Sequence, residues 1–146
     1  MPDTPDVRIC SIARALDVVG DKWSLLAVRE LMLGNLRFAE IVRRTGAPRD
    51  VLTARLRKLE ERGLVERVRY QERPPRSEYH LTELGWSLQP VITTLRDWGD
   101  AHLSGPEGAP VVFEHSCGEV FRPVVVCEHC GEAPARGSLK LLHAAN

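Results

Sequence analysis

The stretch from Arg37 to Leu81, RFAEIVRRTGAPRDVLTARLRKLEERGLVERVRYQERPPRSEYHL, constrains the fold more than any other part of the chain. Between Pro48 and Arg62 the side chains of Leu52, Leu56 and Leu59 recur at helical spacing. One stripe can therefore pack inward while Arg49, Asp50, Thr53 and Arg57 project from the opposite side. Arg49, Thr53 and Arg57 stand four apart and stack on one face. Pro48 suits the first turn of a helix, where its missing amide hydrogen is not needed, and Gly46-Ala47 makes a short turn from the preceding segment. Gly63 closes the helix. LVERVRY then alternates and is rich in β-formers, QERPPRS carries two prolines and two arginines, and EYHLT resumes an extended pattern. A hairpin with a basic tip is predicted.

Charge follows the same stretch. From Arg37 to Arg76 there are twelve Lys/Arg against six Asp/Glu, an excess of six positive charges in a chain whose formal net charge is zero. Neutralising phosphates needs a local patch and not a basic whole, so a neutral total does not count against DNA binding. An arginine-rich helix by itself is usually a solvated surface. The basic hairpin directly after this one favours helix, turn, helix and wing: a winged helix-turn-helix.

At 146 residues the chain is long enough for one good core and a small appendage. An apolar fraction of 43% beside 27% charged residues is that of a globular protein and not of a disordered one. No apolar run approaches membrane-spanning length, and MPDTPDVR lacks the basic start and apolar stretch of a secretory signal, so a cytoplasmic protein is expected.

Residues 1–8 read as a loose arm. A first helix is expected from Cys10 or Ser11 to about Val19, with Ile12, Leu16 and Val19 on one side and Gly20 ending it. Asp21 is the expected cap of KWSLLAVRELMLG, whose Trp23, Leu26, Leu31 and Met32 are the expected core. Arg37 to Thr45 gives the first helix of the DNA-contacting unit, with Phe38, Ile41 and Val42 facing inward. After the hairpin, TELGWSLQPVITTLRDWGDAHL offers an apolar strip of Leu84, Leu88, Val91, Ile92, Leu95 and Trp98. That is more than one small core can cover, which makes it the expected dimer element, bent or interrupted at Pro90.

The fold class is therefore α+β, a winged helix-turn-helix with flanking dimerisation helices and a small β-rich C-terminal appendage. The expected domains are a DNA-binding and dimerisation domain over residues 1–103, a glycine- and proline-rich linker over 104–110, and a β-rich segment over 111–146.

The landmarks of the first domain form a recognisable set: the early Cys10, Gly-Asp-Lys-Trp at 20–23, Arg-Phe at 37–38, Leu-Thr-x-Arg-Leu at 52–56, Gly-Leu-Val at 63–65 and Tyr-x-Leu-Thr-x-x-Gly at 79–85. Together they resemble the HxlR-type branch of winged-helix bacterial transcriptional regulators, relatives of the MarR type, over Cys10 to about Leu103. The resemblance implies a homodimer on a pseudo-palindromic operator in double-stranded DNA, with one recognition helix per protomer in the major groove and the hairpin along the backbone or minor groove. It also implies a repressor more often than an activator. The C-terminal segment resembles an extension found on some longer members.

Arginine at the start of a recognition helix can donate two hydrogen bonds to a guanine edge, so Arg49 is the expected leading reader. Thr53 is placed against a thymine methyl or a phosphate, and Arg57 against the backbone. Arg55 lies nearer the packed face, either on DNA or bracing the helix to its neighbour. Arg73 and Arg76 flank two prolines at the hairpin tip and are expected on phosphate or a narrow minor groove. Arg37 and Asp50 complete the candidate DNA-binding set.

Cys127-Glu128-His129-Cys130 is a CxxC, with His115 and Cys117 upstream across a hairpin-length spacer. His115, Cys117, Cys127 and Cys130 are thus candidate ligands of a closed tetrahedral zinc site, against the alternatives of free thiols or a CxxC disulfide. Cys10 lies at a helix N-terminus near Arg8 and Arg14, where a thiolate is reasonable. It is a candidate redox sensor on the resemblance, and a small core residue otherwise. No enzyme is expected: glycine follows Cys130 with no helical pattern after it, unlike a thioredoxin-type motif, and no catalytic triad, phosphate loop or carboxylate pair stands out. The competing functions are a zinc-stabilised protein-interaction module and a CxxC thiol redox protein.

Overall fold

Asp21 begins the helix on which the N-terminal half is built. Its carboxylate accepts hydrogen bonds from the Ser24 amide at 2.9 Å and the Ser24 hydroxyl at 2.6 Å, satisfying donors that a helix start leaves without partners. The computed structural model describes residues 9–144; the loose arm expected over 1–8 lies outside them. In chain order it contains α1 (Ser11–Val19), α2 (Lys22–Met32), α3 (Phe38–Thr45), α4 (Arg49–Glu61), β1 (Val65–Gln71), β2 (Arg76–Leu81), α5 (Glu83–Trp86) and α6 (Gln89–Leu103). The winged helix-turn-helix and the α+β class are both present.

α2 packs against α3 and α4, with α1 resting on α4. The core is Ala27, Val28 and Leu31 of α2, Ile41 of α3, Leu52, Leu56 and Leu59 of α4, and Leu64 and Val65 at the start of the wing. Fully burying one such side chain is worth about 1.5–3 kcal/mol, so the leucine stripe of α4 holds that helix while its other side stays solvated. The interior face of α2 differs from expectation. Ser24, Ala27, Val28 and Leu31 point inward, whereas Trp23, Leu26 and Met32 are only half-buried. α2 is apolar on several sides, and its smaller residues fit the close approach to α3 and α4. Phe38 and Val42 are likewise half-buried, leaving Ile41 as the buried residue of α3.

β1 and β2 form an antiparallel hairpin in which Val65 pairs with Leu81, Arg67 with Tyr79 and Arg69 with Ser77, with a register shift between Arg69 and Gln71. The chain before α3 joins this sheet edge through the Tyr79 amide, which donates to the Leu36 carbonyl at 2.8 Å. Thr82 then turns the chain into α5: its hydroxyl donates to the Gly63 carbonyl at 2.6 Å and accepts from the Gly85 amide at 3.1 Å. Gly85 is required there, since a Cβ would stand 2.2 Å from the Leu64 carbonyl oxygen.

The amphipathic stretch after the hairpin is interrupted, as expected near Pro90, into α5 and α6. Two compact units result, one up to Gln89 and one from Pro90 onward. The expected boundary lay at 104–110. The division differs because α6 groups with the C-terminal segment: the Arg96 guanidinium lies 4.4 Å from the Phe113 ring centroid, and Arg96, Asp100, Val111, Phe113 and Phe121 line a shared cavity of about 300 Å³. That segment is less paired than its β-like runs suggested. Among the described residues it holds one isolated bridge, Glu114 to Val120, and no named strand. Val124 and Val125 stay 71% and 62% exposed, because strand formers without a facing strand gain no ladder.

Two helices carry uncovered apolar side chains along one side. On α1, Ile12 is 70% and Leu16 56% exposed; on α6, Leu95 and Trp98 are 53% and 55% exposed. Only Val19 of α1 is buried, in place of the whole Ile12, Leu16 and Val19 side.

Candidate nucleic-acid interface

The turn between α3 and α4 is fixed locally. Gly46 ends α3 with φ 72°, the left-handed conformation that glycine adopts without a Cβ penalty, and its amide donates to the Val42 carbonyl at 2.8 Å. The Thr45 hydroxyl donates to the Ile41 carbonyl at 2.6 Å and accepts from the Ala47 amide at 3.2 Å. Ala47 is buried, and Pro48 is the N-cap of α4, one position before the first turn expected for it. These contacts set the angle at which α4 leaves α3.

α4 is divided lengthwise. Leu52, Leu56 and Leu59 are buried, and Arg49, Asp50, Thr53 and Arg57 are exposed on the other side. The Arg49 guanidinium lies 5.0 Å from the Phe38 ring centroid, within cation–π range. The Thr53 hydroxyl donates to the Arg49 carbonyl at 2.8 Å, which commits its one hydrogen and leaves its methyl for apolar contact. Asp50 sits in the first turn, where a negative charge complements the helix dipole.

Two candidates are engaged elsewhere. Arg55 Nε lies 3.1 Å from Asp21 Oδ1, yet this buried nitrogen makes no hydrogen bond, so the contact is an ion pair without N–H alignment. Arg55 thus braces α4 against the start of α2, the second of the two roles considered for it. Burial raises the pKa of Asp21, but the Ser24 hydrogen bonds and the nearby Arg55 and Lys58 charges outweigh it, and the carboxyl titrates below its ordinary value. Arg37 faces the wing: its Nε is 3.6 Å from Glu78 Oε1 and its guanidinium 5.0 Å from the Tyr70 ring centroid. Its amide donates to Glu40 Oε2 at 3.2 Å, capping α3.

At the wing tip Arg73 and Arg76 are exposed, and neither has an ion-pair partner among the described residues. Arg69 behind them pairs with Glu72 at 3.3 Å. Arg49 and Arg57 of α4, which have no ion-pair partner among the described residues, and the pair at the tip offer guanidinium groups suited to phosphates and base edges. Sequence periodicity points to neither the Arg49–Phe38 nor the Arg37–Tyr70 contact: it places Phe38 facing inward and says nothing of what Tyr70 meets. The adjacent arginine and phenylalanine at 37 and 38 were the one signal available.

The family described as HxlR-like helix-turn-helix matches residues 18–106. The chain belongs to that family. An HTH-type transcriptional regulator of Mycobacterium tuberculosis is 47% identical over 123 residues, covering 84% of this chain and 78% of its own. One of Methanothermobacter thermautotrophicus is 42% identical over 105 residues, covering 71% and 80%. Among solved structures, the transcription factor PA1607 matches with TM-score 0.80 and 34% identity over 90% of this chain and 93% of that one. The redox regulator HypR in its reduced form matches with TM-score 0.61 and 34% identity over 65% and 95%. As an HxlR-like protein the chain is a transcriptional regulator with a DNA-binding helix-turn-helix.

The cysteines belong to other elements of the chain than α4 and the wing. Cys10 is the half-buried N-cap of α1 and makes no side-chain cap bond. His115 and Cys117 share one turn, in which the Cys117 amide donates to His115 Nδ1 at 3.4 Å. Cys127 and Cys130 share another, closed by the Gly131 amide on the Cys127 carbonyl at 2.8 Å. Among the described residues no three His, Cys, Asp or Glu side chains gather into a group able to hold a metal ion. The residues present therefore do not assemble the expected four-ligand zinc site. The Cys130 and His129 amides, with the Cys130 thiol, hydrogen-bond to the exposed Cys127 sulfur and hold its pKa below the ordinary thiol value.

Among the described residues, no helix is long and apolar enough to cross a membrane.

Proposed function

We propose that the protein is a homodimeric repressor acting in the cytoplasm on a pseudo-palindromic operator. Arg49 reads a guanine edge in the major groove, Thr53 contacts a thymine methyl, Arg57 holds phosphate, and Arg73 and Arg76 carry the wing onto the backbone. The observation that carries this reading is the lengthwise division of α4, with Arg49, Thr53 and Arg57 exposed opposite a fully buried leucine stripe. The uncovered apolar faces of α1 and α6 support dimerisation, since water-exposed strips of that kind are what a second copy buries. Two half-sites about 34–36 Å apart, one helical turn of B-form DNA, follow from that symmetry.

The test is Arg49→Ala on a duplex selected from a random-sequence pool by the wild-type protein. Loss of one bidentate contact should weaken that duplex by about 1–3 kcal/mol while leaving random DNA nearly unchanged. Equal affinities of variant and wild type on both would refute the assignment.

Redox control through Cys10 is a part of the same proposal. The likeness to the redox regulator HypR supports it, as does the position of a free thiol at the start of a helix with an uncovered apolar face. Diamide should alter DNA affinity in the wild type and not in Cys10→Ser; identical responses would remove Cys10.

A further inference from the structure

We propose that Phe38 is a positioning residue for DNA reading: its ring holds the Arg49 guanidinium at the mouth of α4, so that Arg49 meets a base edge instead of ranging over nearby phosphates. The proposal rests on Arg49 being the leading reader and adds what makes it one.

The arginines around α4 are held in different ways. Arg37 is tied to Glu78 and Arg55 to Asp21, both through carboxylates. Arg49 has no carboxylate partner among the described residues, and its guanidinium rests 5.0 Å from the Phe38 ring centroid. The distinction matters chemically. A carboxylate holds a guanidinium by its charge and competes with a guanine O6/N7 edge for the N–H donors, even where, as at Arg37 and Arg55, the pairs are ionic and not hydrogen-bonded; attraction to an aromatic face leaves those donors without a competing acceptor. Phe38 thus restricts a long, flexible side chain while leaving its whole donor set free. Restricting a contacting side chain before binding reduces the ordering cost at the interface, and a bidentate contact needs that order more than a phosphate contact does.

The platform is itself secured. Phe38 is half-buried at the first position of α3, directly after Arg37, which is held by Glu78 and the Tyr70 ring. Arg37 and Phe38 are consecutive, so one short piece of backbone joins the wing to the reading residue. A leucine at position 38 could supply the packing, but not the negative face that attracts a cation.

The experiment compares Phe38→Leu, Phe38→Tyr, Arg49→Ala and the Phe38→Leu/Arg49→Ala double variant. The readout is the ratio of affinities for the wild-type-selected duplex and for the same duplex changed at the base pair whose identity Arg49→Ala ceases to distinguish. Phe38→Leu should lower that ratio about two- to five-fold, the range of an exposed cation–aromatic contact. Phe38→Tyr should keep the wild-type ratio, and Phe38→Leu should have no effect once Arg49 is alanine. If Arg49→Ala collapses discrimination while Phe38→Leu preserves it, Arg49 remains the reader and the platform is overturned. If Arg49→Ala leaves discrimination at every position intact, the reader assignment fails and takes the platform with it. Should Phe38→Leu not fold, the Arg49 Nε–H proton in free wild-type protein decides: an upfield ring-current shift supports the contact, and a shift matching the other exposed arginines overturns it.

Discussion

Replacing Arg73 by alanine should change how binding depends on salt. Arg73 is exposed and unpaired among the described residues, so its removal leaves no orphaned partner and the fold should be unaffected. Each phosphate contact contributes about 0.9 to the slope of log affinity against log salt, and the proposed dimer would lose one proposed contact from each wing, so the slope should fall by about 1.8. Between 50 and 200 mM salt, a four-fold change, that amounts to roughly twelve-fold less loss of affinity than in the wild type. Fluorescence anisotropy over that range, on a selected duplex and a random one, measures it. Both duplexes should show the same change, since phosphate carries no sequence information. Arg69→Ala is the internal control: Arg69 is already engaged by Glu72 at 3.3 Å and should alter the slope less. An unchanged slope for Arg73→Ala on both duplexes would mean that the tip does not touch the backbone. A change on the selected duplex alone would point to a groove contact instead.

Three other outcomes follow from the packing and the titrating groups. Leu56→Ala, at a position 1% exposed, should cost about 2–5 kcal/mol in urea unfolding; a loss under about 1 kcal/mol would place Leu56 outside the core. Because the folded-state pKa of Asp21 is depressed, its contribution is full above its ordinary value of 3.8 and fades as pH falls through the lower folded value. Asp21→Asn should therefore be less stable than wild type at neutral pH, with the gap closing in acid; a gap independent of pH would show that the charge is not what matters. For Cys127 the hydrogen bonds from Cys130 and His129 lower the thiol pKa, so the pH midpoint of its alkylation should lie below that of a free cysteine, ~8.5. A midpoint at or above the free value would show that the turn does not stabilise the thiolate.

The sequence was most legible where one periodicity had one solution. α4 has a single apolar stripe, so Leu52, Leu56 and Leu59 could be placed on the inside and Arg49, Thr53 and Arg57 on the outside without knowing what they pack against. The hairpin was equally plain from alternation, prolines and a closing glycine. α2 was harder because it is apolar on more than one side, and side-chain size pointed to Trp23 and Met32 when the tight packing selected Ser24, Ala27 and Val28. The valine runs at the C-terminus have strand propensity, but propensity cannot supply a facing strand. At the interface, spacing could put Arg55 near a boundary but could not show that Asp21, far away in sequence, waits there. The contact of Arg49 with Phe38 is of the same non-local kind.

Glu30 is charged and yet 3% exposed, its carboxylate accepting from Asn35 Nδ2 at 2.6 Å and paired with Arg29 at 2.6 Å. Asn35 also returns its own amide to the Glu30 carbonyl at 3.0 Å, and the next residue, Leu36, is the one whose carbonyl receives Tyr79 of the wing. One of the wing's attachments to the body of the unit thus runs back, through Leu36 and Asn35, to an acid in the interior. On the proposed DNA-binding role of the wing, a change of length or polarity at position 35 would therefore reach the hairpin through the backbone at Leu36, well away from the tip.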